Sequence, residues 1–184
     1  QYEQALHFYN QALAIVQNTG ERQSESQTLN NIGIVYQRLG QYEQALKYYE
    51  RALAIEQEIG HRRGESQALS NIGTVYDDLE LYDRALEYYE QALTIFQELE
   101  ARPGESMTLG NIGVVYSHLE RYERAVDYYK QALAIKQAIG DRRGESTDLI
   151  WVLGLPGQVF LSHLHLPGFD IVPSPFCPYL HPAG

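Results

Sequence analysis

The chain has 184 residues, 44% of them hydrophobic and 21% charged, with a formal net charge of −10. Such a length suffices for one domain with a sizeable core, and such acidity excludes a general nucleic-acid binder, which needs a basic surface. A single cysteine, Cys177, excludes an internal disulfide, and no apolar run approaches the ~18 residues of a membrane span.

Gln1 opens the chain inside a pattern and no signal peptide is visible. This start predicts a fragment of a longer protein, held in a reducing cytoplasm. Residues 1–20, QYEQALHFYNQALAIVQNTG, read as a helix, and near-copies return at 41–60, 81–100 and 121–140. Tyr2, Tyr42, Tyr82 and Tyr122 mark a period of 40. Between these segments lie LNNIGIVY (29–36), LSNIGTVY (69–76) and LGNIGVVY (109–116). Each period therefore holds two helices, A and then B.

In the middle unit helix A is predicted from about Gly64 to Leu79. Leu69, Ile72, Gly73 and Tyr76 share one helical face there. Helix B is predicted from about Tyr82 to Leu99, with Tyr82, Ala85, Leu86, Tyr89, Ala92, Leu93 and Phe96 on one face. Gly20, Gly60 and Gly140 follow helix B, and Gly40 follows the first helix A, where a left-handed residue is wanted. Glu80 and Glu120 hold that place in later units, which predicts another turn geometry, because a Cβ is uncomfortable there. Pro103 suits the first turn of the third helix A.

The chain thus divides into a lone helix B of a truncated repeat (1–20), three 40-residue units (21–140), the start of a fourth helix A (141–150) and a non-repeat tail (151–184). Leu149 still holds register, but Trp151-Val152-Leu153 stands where Asn-Ile-Gly is due. From Thr147 onward lie six of the seven prolines, the only Trp and the only Cys, with no Lys or Arg. A shifted reading frame, a true tail with a short apolar helix, and a C-terminal cap compete as explanations. The cap is disfavoured, since caps need a polar outer face. A true apolar tail predicts self-association through this exposed end.

A helical hairpin of this size cannot bury its stripe alone, and stacked hairpins make a continuous core. The expected fold is an all-α, right-handed α-solenoid of stacked helix-turn-helix hairpins. A coiled coil fails, because the pattern breaks every ~20 residues at a turn signal.

These residues resemble the tetratricopeptide repeat. Leu69, Ile72-Gly73, Tyr76, Ala85, Tyr89 and Ala92 match the family pattern in order and spacing, and the match recurs from Leu29 and from Leu109. The usual period is about 34, so the present one looks like the long variant of Pins-type adaptors, kinesin light chains and many bacterial signalling proteins. The resemblance implies a concave groove lined by A helices that binds a peptide or a partner protein. It implies no catalysis and no cofactor.

The helix-interior glycine costs about 1 kcal/mol against alanine. We expect Gly33, Gly73 and Gly113 to offset that by letting A and B backbones approach, with Ala85 as the neighbour opposite Gly73. On a wheel of about 100° per residue with Leu69 at the origin, Gln67, Asn71, Thr74 and Asp78 fall on the far side. That face is the expected groove. Its members are Gln27, Asn31, Ile34 and Arg38 in the first unit, Gln67, Asn71, Thr74 and Asp78 in the second, and Met107, Asn111, Val114 and His118 in the third.

An asparagine amide donates two hydrogen bonds and accepts at its oxygen, which matches an extended main chain. The competing reading is that Asn31, Asn71 and Asn111 tie neighbouring helices together. Pins-type relatives often carry arginine where Gln27, Gln67 and Met107 stand, so a mixed or partly apolar ligand is expected rather than an acidic one.

The Tyr48-Tyr49, Tyr88-Tyr89 and Tyr128-Tyr129 pairs read as core, with the first member of each packing between repeats, not as base-stacking platforms. Asp77-Asp78 and Glu80 read as solvated charge, not a metal site, because helical neighbours diverge by about 100°. His163 and His165 are a lone pair without zinc-site spacing. The expected function is a protein–protein interaction scaffold that is not an enzyme and has no nucleic-acid or membrane partner. The alternatives are the sensory module of a larger, bacterial-type signalling enzyme or ATPase, and a structural spacer.

Overall fold

The computed structural model describes residues 2–141 and residue 144. The expected fourth helix A, apart from residues 141 and 144, and the whole tail, with Leu149, His163 and His165, lie outside the described residues.

The described residues form seven α-helices and no strand: α1 Tyr2–Thr19, α2 Arg22–Arg38, α3 Tyr42–Glu58, α4 Arg62–Asp78, α5 Tyr82–Glu98, α6 Arg102–His118 and α7 Tyr122–Ile139. Helix A of the middle unit begins at Arg62, two residues before Gly64. Consecutive helices pack antiparallel, with the closest pairings being α2 on α3, α4 on α5 and α6 on α7. The result is an all-α solenoid of helical hairpins. Its core is continuous along the stack. Leu13, Leu29, Ile32, Ala52 and Ile55 join α1, α2 and α3. Tyr49, Ile72 and Val75 join α3 to α4. Leu69, Ala92 and Phe96 join α4 to α5, and Tyr89, Ile112 and Tyr129 carry the core through α5, α6 and α7.

Every connection has one design. At the end of α2, the Gly40 N–H donates to Gln37 O (2.9 Å) and the Gln41 N–H to Tyr36 O (2.9 Å), which closes a Schellman turn. The Gln41 carbonyl then accepts from the Ala45 N–H at 3.0 Å, so Gln41 is also the N-cap of α3. No side chain caps α2 through α7. The backbone does that work alone, and side chains at the joints are free to vary. Glu80 (φ 59), Glu100 (φ 49) and Glu120 (φ 58) adopt the same left-handed turn as Gly40 (φ 69) and Gly60 (φ 68). The expectation of another geometry at Glu80 and Glu120 is therefore overturned. Two backbone bonds per turn hold the conformation against the Cβ penalty of roughly 1–2 kcal/mol.

The glycines of the A helices serve the B-helix tyrosine, not Ala85. A Cβ on Gly73 would lie 2.8 Å from the Tyr89 ring; on Gly33 it would lie 2.6 Å from Tyr49, and on Gly113 2.7 Å from Tyr129. A second glycine series follows the same logic. Gly64 abuts the Glu56 carboxylate and Gly104 abuts the Phe96 ring. Glu56 is buried, and its charge is met by the Ser26 hydroxyl (2.6 Å) and by His61 Nδ1 (2.7 Å). At the open end of the first two hairpins an arginine clamps two helices: Arg22 reaches Glu25 and Glu58, and Arg62 reaches Glu65 (2.6 Å) and Glu98 (2.7 Å); in the third, Arg102 pairs with Glu105 of its own helix (2.9 Å).

Tyr48, Tyr88 and Tyr128 stack on Tyr36, Tyr76 and Tyr116 of their own hairpins, each pair with centroids 5.3 Å apart. They were expected between repeats; Tyr88 does also touch the α3–α4 core, but ring stacking is satisfied inside the hairpin.

Two stability outcomes follow. Gly73→Ala should destabilise the array by about 1–3 kcal/mol through overpacking against Tyr89, although alanine favours an isolated helix. Glu80→Gly and Glu120→Gly should each stabilise it by about 0.5–1 kcal/mol, the left-handed penalty less the extra freedom of unfolded glycine. Urea unfolding followed by circular dichroism measures both.

Candidate functional site

A layer of A helices, α2, α4 and α6, presents the face turned away from the B helices. Side-chain bonds run directly between neighbouring A helices. Asn71 Nδ2 donates to Asn30 Oδ1 (3.4 Å), and Ser70 and Thr108 hydroxyls lie 3.5 Å apart. Gln37 Nε2 donates to Asp78 Oδ2 (2.7 Å), and His118 Nδ1 lies 3.1 Å from Asp77 Oδ1. Among the described residues no comparable bond joins two B helices. The A layer is thus joined directly from unit to unit by side-chain contacts.

The residues predicted for this face lie on its accessible surface. Gln27, Asn31, Gln67, Met107, Arg38, Asp78, His118 and Ile34 are exposed; Asn71, Asn111, Thr74 and Val114 are half-buried. Ile34, Arg38 and Asp78, from two neighbouring units, line one open pocket of ≈ 360 Å³ together with Gln37 and Tyr42. Gln27, Gln67 and Met107 lie one turn before the asparagines and do not reach that pocket. Among the described residues, Asn31 and Asn111 form no side-chain bond, whereas Asn71 engages Asn30. The helix-tying reading thus applies to one asparagine of the three.

The junction roles of two polar residues, Gln37 and Asp77, escaped the sequence reading. Gln37 bridges Asp78 and the hydroxyl of Tyr49, which donates to Gln37 Oε1 at 3.0 Å. Asp77 is half-buried, not solvated as expected, and meets His118, whose ring sits 5.4 Å from Tyr82. Gln37 and Asp77 occupy equivalent places at about 80° on the helical wheel, on the flank that faces the next hairpin. That flank was the available signal. Thr74 is turned partly inward, where it accepts a bond from the Tyr89 hydroxyl (3.1 Å). Burial holds the Tyr49 and Tyr89 phenols far above their ordinary value.

The chemistry of this face is that of a binding surface. Its ionisable members are Arg38, Asp78 and His118, set among neutral amides and small apolar groups. Such a surface offers hydrogen bonds and shallow apolar contact. Among the described residues no cluster of three or more His, Cys, Asp or Glu side chains is placed to hold a metal ion, and no helix is long and apolar enough to cross a membrane.

A family model described as tetratricopeptide repeat matches residues 1–58 and 64–138. No curated protein sequence matches the chain. Among solved structures, the chain is similar to BtubC (BKLC) from P. vanneervenii, with 21% identity, a TM-score of 0.67, and coverage of 83% of this chain and 72% of that one. It is similar to aspartyl phosphate phosphatase F from Bacillus subtilis, with 21% identity, a TM-score of 0.77, and coverage of 81% and 39%. It is also similar to a signal transduction ATPase with numerous domains and a tetratricopeptide repeat sensor from Pyrococcus horikoshii, with 23% identity, a TM-score of 0.63, and coverage of 83% and 27%. The chain spans well under half the length of the phosphatase and about a quarter of the ATPase. At these identities the likeness concerns the fold.

The Asp77–His118 junction yields a pH signature. Asp77 is pushed above its ordinary value chiefly by burial, against the pull of His118. Its folded form therefore binds a proton more readily than its unfolded form, and this group's contribution to stability grows as pH falls through its raised value. Asp77→Asn should be most favourable relative to the parent near neutrality. That advantage should shrink through the carboxyl range as the parent's aspartate becomes protonated. Denaturant unfolding of both proteins across that range gives the comparison.

Proposed function

The chain belongs to the tetratricopeptide repeat family, and we propose that its A-helix face is a scaffold surface that grips a peptide, or a segment of a partner protein, by the main chain. The observation that carries this reading is the row of Asn31, Asn71 and Asn111. They recur at one spacing on the side of α2, α4 and α6 turned away from the B helices, and among the described residues the side chains of the first and last form no hydrogen bond. Each asparagine offers a donor and an acceptor to a passing peptide unit. Because main-chain groups are common to all sequences, one residue type serves every unit.

Selectivity then falls to the neighbours that differ: Gln27, Ile34 and Arg38; Gln67, Thr74 and Asp78; Met107, Val114 and His118. The mixture of amide, apolar and opposite-sign groups suits a ligand of mixed polarity. The pocket shared by Ile34, Arg38 and Asp78 suits one anchoring side chain. The array is preorganised, which lowers the ordering cost of binding. No catalytic step, metal or cofactor is assigned to it, and the proposed setting is the cytoplasm.

A second reading is a sensory module within a larger signalling protein. The similarity to the repeat sensor of the Pyrococcus horikoshii ATPase favours it, since this chain matches only 27% of that protein. Both readings use the same face; they differ in what is coupled to it.

Peptides selected from a displayed random library on the immobilised array provide the test. Replacing Asn31, Asn71 and Asn111 together by alanine should weaken their binding about 10- to 100-fold, at roughly 0.5–1.5 kcal/mol per hydrogen bond. Unchanged affinity, with helicity intact, would sink the asparagine grip.

A further inference from the structure

Arg38 and Asp78 hold the same place in successive units, each as the last residue of its A helix. The C-terminal end of a helix carries partial negative charge, so arginine is favourable there and aspartate is not. Asp77 beside it adds a like charge. Helix stability therefore gives no reason for an acid at this place, yet its carboxylate is held in position. Asp78 Oδ2 accepts from Gln37 Nε2 (2.7 Å), and Gln37 Oε1 accepts from the Tyr49 hydroxyl (3.0 Å). Gln37 is engaged at both ends, whereas Asp78 Oδ1 has no hydrogen-bond partner among the described residues. The Arg38 guanidinium likewise forms no ion pair or hydrogen bond among them, although it lines the same pocket of ≈ 360 Å³. Ile34 and Tyr42 supply the apolar lining. The pocket thus joins a cationic donor and an anionic acceptor that do not neutralise each other.

We propose that this pocket selects a glutamine side chain of the bound peptide, whose carboxamide accepts from Arg38 and donates to Asp78. The proposal rests on the reading of the A-helix face as a peptide groove. Charge does the sorting. A ligand carboxylate gains Arg38 but meets Asp78, and an ammonium or guanidinium meets the reverse. An aliphatic or aromatic side chain covers both charges and satisfies neither. A carboxamide uses both, because it donates at nitrogen and accepts at oxygen. Reach favours glutamine over asparagine. At roughly 1.5 Å per residue, Arg38 lies about 10 Å along α2 beyond Asn31, so the longer stem is needed from a main chain held at the asparagine row. The next junction lacks the pair. His118 stands in the equivalent place, with its ring 5.4 Å from Tyr82 and its Nδ1 3.1 Å from Asp77.

The test selects peptides from a displayed random library on the immobilised full chain and measures their affinities by titration. The selected peptides should share one glutamine. Replacing it by glutamate, or by methionine of similar length, should weaken binding about tenfold. Asp78→Asn leaves the pocket positive and should make the glutamate peptide the preferred one. Arg38→Gln leaves it negative and should favour a lysine peptide. Both positions are exposed, and circular dichroism verifies the fold. An aromatic, aliphatic or charged residue at the shared position overturns the proposal. So does equal binding of the methionine peptide, or a ranking that neither protein variant changes. If the peptides still need Asn31, Asn71 and Asn111, such a result leaves the groove reading standing. A library that yields no peptide overturns both. A ranking that follows Arg38 and Asp78 but ignores the asparagines supports the pocket and sinks the grip.

Discussion

In each hairpin the ring of Tyr49, Tyr89 or Tyr129 occupies the volume that a side chain on Gly33, Gly73 or Gly113 would fill. The rest of the array depends on that seat. It brings the two helices together and buries a large ring at the hairpin centre, where aromatic burial contributes most. It also carries the phenol oxygen to the flank of helix A. There the hydroxyls of Tyr49 and Tyr89 donate to Gln37 and Thr74, and that of Tyr129 lies 3.3 Å from the Ser117 hydroxyl. Through Gln37 the contact extends to Asp78 of the next unit. One missing Cβ thus links hairpin packing to hairpin stacking and sets the position of the exposed face.

The second constraint is the turn. A helix of 17 residues and a connection of three give a half-period of 20. The connection is closed by main-chain bonds, and its last residue starts the next helix. Register is therefore kept by the backbone, and the groove residues fall in line at each repeat. Junction chemistry varies on this fixed frame. One junction joins Gln37 to Asp78 and the next joins Asp77 to His118. The position near the end of helix B, half-buried at Val16, is buried at Glu56, Phe96 and Lys136, so even the interior tolerates a change of polarity when a partner is supplied.

Much of this was legible in the sequence. The 40-residue period, the two helices per unit and the stripe from Leu69 to Tyr76 follow from apolar spacing alone. So does the placement of Asn31, Asn71 and Asn111 on the side away from helix B, exposed at Asn31 and half-buried at the other two, because a helical wheel separates the two faces. The misses share a cause. Ala85 was preferred to Tyr89 as the glycine's neighbour because small-on-small packing is the simpler guess, and spacing within one helix does not say which residue of another lies opposite. Glu80 and Glu120 misled because propensity ranks residues singly, whereas two backbone bonds decide the turn. Asp77 misled because the wheel has flanks as well as faces. A residue at the flank touches the next hairpin, and sequence separation of about 40 hides that contact.

The self-contained turn has a genetic consequence. Every joint is closed by its own backbone atoms, so cutting the chain at one and rejoining it at the corresponding joint a period later leaves each turn intact. The same B-helix face meets the same A-helix face before and after. A crossover between two such joints removes or adds a whole unit without creating a new kind of contact. Repeat number is then the parameter most easily altered by selection. Lengthening the array extends the exposed face by one asparagine and three variable neighbours at a time.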